Sequence, residues 1–401
     1  MLGDLAILGG PPQFQESLHV GRPNIGDRDT LMRRIGEMLD RRWLSNGGPL
    51  VLELEETMAA MHGVAGAVAV CNATLGLQLL ARGLGLRGDI LMPAFTFVAT
   101  AHAIMWQGAQ PEFVDIQLSD HNLALDSVEA AITERTGGIV GVHLWGRPCA
   151  VGELEKLADA HGLPLIFDAA HALGVTGPDG PVGAGGMAEV LSLHATKFVN
   201  SFEGGIVLGN DTGLLDDIRS LRNFGFADYD TVTAIGTNAK MPEVCAAMGL
   251  TSLEAVSTFA AANRANFGAY RDCLGSLDGV RLLDYDDAGT WNYQYVVVEI
   301  DVAVTGIDRD TIIDALHAEN ILARRYFFPG CHRHEPYLHS DRDWDLPRTD
   351  RVAGRVIVLP TGTAMDPDSC VTVGRILGEL INGGMQLGER IATARRRVGR
   401  S

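Results

Sequence analysis

Between residues 67 and 167, short apolar runs alternate with stretches whose hydrophobic positions recur at helical spacing. Residues 67–71, 90–92, 112–115, 138–142 and 165–167 read as strands. Residues 75–84, 98–106, 127–132 and 152–161 read as the helices between them. Such alternation predicts βαβ units, and so an α/β fold with a largely parallel sheet. In a sheet of that kind ligands bind past the carboxyl ends of the strands, which is where catalytic groups belong.

The pattern changes near residue 255. An alanine-rich helical stretch at 260–274 precedes alternating, strand-like residues at 293–300, a helical stretch at 310–319 and an apolar run at 356–359. These elements predict a smaller α+β unit. The expected division is a large domain over residues 1–255, including the N-terminal segment, and a small C-terminal domain over residues 256–401. No internal repeat and no low-complexity linker interrupts either part.

Composition narrows the function classes. The chain has 401 residues, of which 46% are hydrophobic, and a formal net charge of −18. That balance argues against a nucleic-acid surface, which needs clustered positive charge. Arg395, Arg396 and Arg397 are the local exception, in a stretch at 390–400 that reads as a frayed, solvated terminus. No apolar run reaches the length needed to span a bilayer, and residues 1–10 lack a basic n-region, so a cytoplasmic protein without membrane association is expected. The six cysteines are scattered without a C-x-x-C pair, which suggests neither a disulfide framework nor a zinc site. His332, His334 and His339 lack a carboxylate or cysteine at ligand spacing, so no metal is expected.

Three segments near strand ends carry candidate chemistry. In Cys71-Asn72-Ala73-Thr74-Leu75-Gly76-Leu77 a strand opens into a helix. The first N–H groups of a helix lack intrahelical partners and, with the helix dipole, attract phosphate. Taken alone, Asn72 and Thr74 read as plain helix caps. In Leu165-Ile166-Phe167-Asp168-Ala169-Ala170-His171 an aspartate ends a hydrophobic strand, and the two alanines leave room for a flat ring. A carboxylate there suits a pyridinium nitrogen, which it keeps protonated so that the ring accepts electrons from a carbanion. Asp168 by itself also reads as a loop aspartate capping the next turn. In Leu191-Ser192-Leu193-His194-Ala195-Thr196-Lys197, followed by Phe202-Glu203-Gly204-Gly205, a lysine sits among small and apolar residues. An imine with pyridoxal phosphate requires an amine that can be neutral, which partial burial favours, although Lys197 alone also reads as a surface lysine.

Together with Trp43-Leu44-Ser45-Asn46-Gly47-Gly48, Thr96-Phe97-Val98-Ala99-Thr100, Val142-His143-Leu144-Trp145-Gly146, Arg222-Asn223-Phe224-Gly225 and Gly236-Thr237-Asn238-Ala239-Lys240-Met241, these segments occur in a familiar order. Over roughly residues 20–360 the chain resembles the sugar-nucleotide aminotransferases of the DegT type. The resemblance implies a fold-type-I pyridoxal-phosphate enzyme, α/β, with a mostly parallel seven-stranded sheet in the large domain and a smaller C-terminal α+β domain. It implies pyridoxal 5′-phosphate as cofactor, with pyridoxamine 5′-phosphate as its amino-carrying form.

Residue roles follow by the same resemblance. Lys197 matches the Schiff-base lysine, Asp168 the partner of the ring nitrogen, and Phe97 the aromatic side chain stacked on the ring. Ala73, Thr74, Leu75 through its backbone, and Ser192 match phosphate-binding positions. Asn238 and Lys240 match a loop reaching the neighbouring subunit's cofactor, which implies a homodimer with composite sites. His171 stands where the family usually has Gln, and one ring nitrogen can donate the same bond to the cofactor's phenolic oxygen. Lys240 stands where the family mostly has Arg, keeping the charge but losing the bidentate fork.

The stretch from Arg324 to His332, which includes Tyr326, resembles a family segment beside the sugar-nucleotide pocket. With His143 and His194 these residues are the candidate substrate contacts. The activity implied is transfer of an amino group from an amino acid, L-glutamate by resemblance, to a nucleotide-linked ketohexose in deoxyaminosugar biosynthesis. The expected product is a 4-amino-4,6-dideoxyhexose linked to dTDP, with 3-amination as the alternative. A pyridoxamine-dependent sugar dehydratase would carry a replacement, typically His, at the lysine position, and a non-catalytic sensor would not need both groups. Lys197 and Asp168 argue against both.

Overall fold

The computed structural model describes residues 5–286, 288–338 and 342–398, without the side chains of 394–398. Its centre is a seven-stranded sheet of β1 (Gly66–Val70), β2 (Asp89–Pro93), β3 (Gln110–Val114), β4 (Thr136–Val142), β5 (Leu165–Asp168), β6 (Ala188–Ser192) and β7 (Gly205–Gly209). The spatial order is β1-β7-β6-β5-β4-β2-β3. The β2–β3, β2–β4, β4–β5 and β5–β6 pairs are parallel. β7 runs antiparallel to both of its neighbours. The fold is therefore the mostly parallel α/β architecture expected, with one strand reversed. That reversal brings the start of β7 to the same sheet edge as the ends of β1, β5 and β6.

The sheet strands are almost wholly buried, because helices cover both faces. Helix α1 (Ala73–Gly83) follows β1, and α2 (Val98–Trp106) follows β2. Two strands escaped the hydrophobic pattern. β6 is interrupted by Glu189, which is buried against His143, and β7 is a three-residue apolar run between glycines. The two long N-terminal helices, Arg28–Arg41 and Pro49–His62, were not apparent either.

The later part of the chain forms a three-stranded antiparallel sheet of β8 (Val280–Leu282), β9 (Val296–Ile300) and β10 (Val356–Leu359), with β9 in the middle. The run read as alternating at 293–300 is buried on both faces over Val296–Ile300. Helix Val256–Leu274 packs against the long helix Pro367–Val398. The terminal stretch expected to fray is helical as far as Val398, with a break at Gly384; residues 399–401 lie outside the described residues. Within the N-terminal segment, residues 6–19 bond to the C-terminal part, whereas Asn24 and Arg34 bond to Phe198, Asn200 and Thr251. Leu18–His19 pairs in parallel with Ile321–Leu322, and the Glu319 carboxylate accepts from Ala6 N at 2.7 Å and Gln13 N at 2.8 Å. Among the described residues no single helix is long and apolar enough to cross a membrane.

Helix Pro49–His62 shows how a distant residue completes an element. Its start follows Gly48, which has no capping side chain. The buried Glu243 supplies the cap, accepting from Leu50 N at 3.0 Å and Val51 N at 2.8 Å. A Cβ on Gly48 would lie 2.5 Å from the Glu243 carboxyl carbon, so only glycine permits the approach. Glu243→Ala leaves two buried N–H donors unpaired, and the expected loss is about 2–4 kcal/mol. Urea unfolding of the full chain checks this; a loss below about 0.5 kcal/mol would show that water replaces the carboxylate.

Candidate active site

At the sheet edge shared by β1, β5, β6 and β7 lies a cavity of about 370 Å³. Its walls include Ala73 and Thr74 at the start of α1, Phe97 before α2, Asp168 ending β5, Ser192 ending β6, and Lys197 in the loop that follows. That loop is fixed by its own backbone. Leu193 N bonds to Gly204 O at 2.9 Å, Ser201 N to Leu193 O at 2.8 Å, and Lys197 N to His194 O at 2.9 Å. Gly205 is required by close approach: a Cβ there would sit 2.6 Å from Ala73 N. The first turn of α1 is thus laid directly over the start of β7.

Asp168 is 6% exposed. Thr100 Oγ1 donates to its Oδ2 at 2.7 Å and Ala170 N to its Oδ1 at 3.1 Å. Burial raises the carboxyl pKa, and the Thr100 bond is the largest opposing influence. Burial also lowers the Lys197 amine to about 8, with the charge of Asp168 acting in the other direction. A lysine so placed has an appreciable neutral fraction near neutrality, as nucleophilic amine chemistry requires.

His171 lines the same cavity. Its Nδ1 accepts from Trp145 N at 3.3 Å, so the neutral ring carries its proton on Nε2. Burial, with the nearby Lys197 charge, depresses its pKa well below the ordinary value, so the ring stays neutral. Trp145 reaches this position in the left-handed region, at φ 60°. Trp145 and Phe327 lie nearly parallel to the His171 ring, while Tyr295 is tilted against it at 4.7 Å. Phe97 keeps 57% exposure on the open side of the cavity.

Several sequence candidates lie elsewhere. The Leu75 amide is used by the Asn72 cap at 2.8 Å, and Leu75 does not line the cavity. The Gly76 amide closes on Asn72 O, which leaves the first-turn amides of Ala73 and Thr74 for a ligand. His143 is fully buried, with Nε2 3.1 Å from Glu189 and Nδ1 accepting from Cys149 N at 3.0 Å; it is not a cavity residue. His332 is likewise buried, 3.1 Å from Asp350, and lines neither this cavity nor its neighbour. His194 does line the cavity, with Nδ1 2.9 Å from the Thr196 hydroxyl.

Tyr326 stands between the main cavity and an adjoining one of about 540 Å³, which Arg324 lines. Asn238 is exposed, and Lys240 lies over the Phe224 ring at 4.5 Å, so neither enters the cavity of its own chain. His339 lies outside the described residues, and among the described residues no three His, Cys, Asp or Glu side chains are grouped to hold a metal. Sequence reasoning gave no individual role to Thr96, Thr100, Tyr295 or Glu203, and took Phe327 only as part of the stretch from Arg324 to His332. The threonines left a trace of their own, two hydroxyls four residues apart around a helix start.

The family model for the DegT/DnrJ/EryC1/StrS aminotransferases matches residues 26–377. The chain belongs to this family. Two dTDP-4-amino-4,6-dideoxy-D-glucose transaminases are among its relatives. That of Shigella dysenteriae is 32% identical over 357 residues, covering 88% of this chain and 96% of the relative. That of Escherichia coli is 33% identical over 366 residues, covering 90% and 98%. The solved structure of DesI in the presence of its TDP-sugar product superposes with a TM-score of 0.94 at 52% identity, covering 99% of this chain and 100% of that one.

The depressed Lys197 amine of this aminotransferase is directly measurable. In the ligand-free protein, acylation of Lys197 by an amine-selective reagent should rise through a midpoint near pH 8 rather than the ordinary 10.5, because the neutral amine predominates above the midpoint. Asp168→Asn removes a charge that raises the amine, so the midpoint should fall further. Peptide mass spectrometry across a pH series reads both; an unshifted midpoint, or an upward move in the variant, contradicts the burial argument.

Proposed function

We propose that this aminotransferase moves an amino group from L-glutamate to the C4 ketone of dTDP-4-keto-6-deoxyglucose, giving dTDP-4-amino-4,6-dideoxyglucose. The observation that carries the reading is the pairing of a buried carboxylate, Asp168, with a lysine of depressed pKa, Lys197, in one cavity. The names of the transaminase relatives, and the TDP-sugar product of DesI, support the sugar-nucleotide acceptor and its amination at C4.

The cavity suits pyridoxal 5′-phosphate. At one end the Ala73 and Thr74 amides and the Thr74 and Ser192 hydroxyls would hold the phosphate. At the other, Asp168 would face the ring nitrogen and His171 Nε2 would donate to the phenolic oxygen. Ala99, Ala170 and Gly204 give the ring space, and Phe97 offers an aromatic face. When bound, the cofactor supplies an electron sink for the carbanion formed at the amino-bearing carbon and carries the amino group, in its pyridoxamine form, between two substrates.

The chain's residues do the rest. Lys197 Nζ would hold the cofactor and would move the proton between the reacting carbons. Asp168 would keep a negative charge against the ring nitrogen, and the neutral His171 would donate to the cofactor. Tyr295, Tyr326 and Phe327 wall the cavity against water. The two substrates use one site in turn, so the kinetics are ping-pong. Tyr326 and Arg324 border the adjoining cavity, where the nucleotide has room.

Asn238 and Lys240 act on a second copy of the chain. They lie on an arm whose Tyr229 and Ile235 are 99% and 79% exposed, an apolar surface suited to burial in a homodimer. Lys240, beside Arg219 and Arg222 around a recess of about 130 Å³, would neutralise the neighbouring phosphate.

The defining experiment incubates the purified protein with dTDP-4-keto-6-deoxyglucose and L-glutamate and assigns the product by NMR. Amination at C4 is expected, and amination at C3 would move the protein to the 3-keto acceptors. Lys197→Ala should fold normally and lose turnover by a factor of about 10³ or more, since it removes both the imine partner and the proton carrier. Wild-type turnover in that variant would sink the reading. The dimer is tested by mixing Lys197→Ala with Lys240→Glu, each inactive. Subunit exchange then builds one site with both defects and one with neither, so activity should return. Exchange without recovery would put Lys240 outside the partner's site.

A further inference from the structure

Asp168 is held by a short chain of hydroxyls. Thr100, in the first turn of α2, donates to Asp168 Oδ2 at 2.7 Å. Its own oxygen lies 3.1 Å from Thr96 Oγ1. Both threonines are buried. A hydroxyl has one proton to give. Since the Thr100 proton goes to the carboxylate, Thr96 must be the donor to Thr100, and the relay is polarised toward Asp168. Ala170 N occupies the other carboxylate oxygen at 3.1 Å. Each oxygen then has one protein donor and keeps a lone pair for a ligand, and the carboxylate plane is set by two bonds.

The same bonds oppose the effect of burial. An isolated buried carboxyl group is pushed toward its neutral form, which hydrogen bonds to the ionised form resist. The other titratable groups around Asp168 are Lys197, whose charge favours the carboxylate, His143, whose imidazole is turned to Glu189, and the neutral His171 across the cavity. None of these donates a hydrogen bond to the Asp168 side chain, so the hydroxyl relay and the Ala170 amide are its direct supports.

We propose that Thr100 is a positioning residue for transamination: its hydroxyl, oriented by Thr96, holds Asp168 as the charged partner of the cofactor's ring nitrogen. Thr100 touches neither substrate nor cofactor and acts through Asp168. The proposal rests on the role given to Asp168 above.

The test loads the full-length protein with pyridoxal phosphate labelled with ¹⁵N in the ring. The ring-nitrogen chemical shift reports its protonation, and cofactor release and turnover are measured alongside. In the wild type the nitrogen should be protonated near neutral pH. Thr100→Val, nearly isosteric but without the hydroxyl, should move the shift toward the unprotonated position and lower kcat by about tenfold or more. Thr100→Ser should restore both, and Thr96→Val should give the same change in smaller measure. If Thr100→Val fails to load, Thr96→Val carries the test. If Asp168→Asn moves the ring-nitrogen signal and neither threonine variant does, the relay is wrong. A signal unmoved by Asp168→Asn overturns the role of Asp168 instead. Loss of turnover in Thr100→Val and Thr100→Ser alike, with an unmoved shift, makes Thr100 a packing residue and overturns the proposal.

Discussion

The site depends on keeping a buried carboxylate charged. Asp168 ends a buried strand, and its position there is dictated by the sheet rather than by solvent. Desolvating an unpaired carboxylate is unfavourable by several kcal/mol, so the surroundings must supply donors and countercharge in place of water. Thr100, the Ala170 amide and the Lys197 charge do this in the free chain. In the function proposed above, a protonated ring nitrogen would complete the set, so that what binds beside Asp168 would also relieve its burial. The lysine is the mirror case, since the same burial that penalises a bare carboxylate also discharges the amine.

The pattern recurs elsewhere in the chain. Glu243 is buried but satisfied by two helix-start amides. Glu55 lies between Arg222 and the Ala69 amide, which ties the arm's base to β1. His143 and Glu189 satisfy one another beneath the site. These groups fix the relative placement of elements without touching the cavity. Removing one partner exposes the desolvation cost of the other, whereas the intact pair contributes little net stability.

The fold was largely legible from hydrophobic periodicity because the parallel strands are continuous apolar runs with helices between them. β6 was hidden because Glu189 interrupts its run, and the histidine that satisfies it lies forty-six residues earlier in the chain. At the site, residues revealed by local motifs, such as Thr74, Asp168, Ser192 and Lys197, lie in the cavity. Those whose surroundings depend on a distant partner could not be placed from local sequence. His143 and His332 looked available until Glu189 and Asp350 enclosed them. Leu75 was assigned a phosphate contact that the Asn72 cap had already taken. Thr100 went unnoticed because its acceptor is sixty-eight residues away.

The N-terminal strand has a consequence for how the chain is made. Residues 6 and 13 bond to Glu319, and Leu18–His19 find their strand partners at Ile321–Leu322. A domain emerging from the ribosome can begin to fold from its N-terminal side, yet residues 6–19 cannot make these bonds until residues 319–322 have been synthesised. Closing so long a loop adds only slightly to its entropic cost, because that cost grows with the logarithm of length. The delay is one of timing rather than of thermodynamics. The docking of residues 6–19 against residues 319–322 therefore belongs to the later long-range contacts of folding.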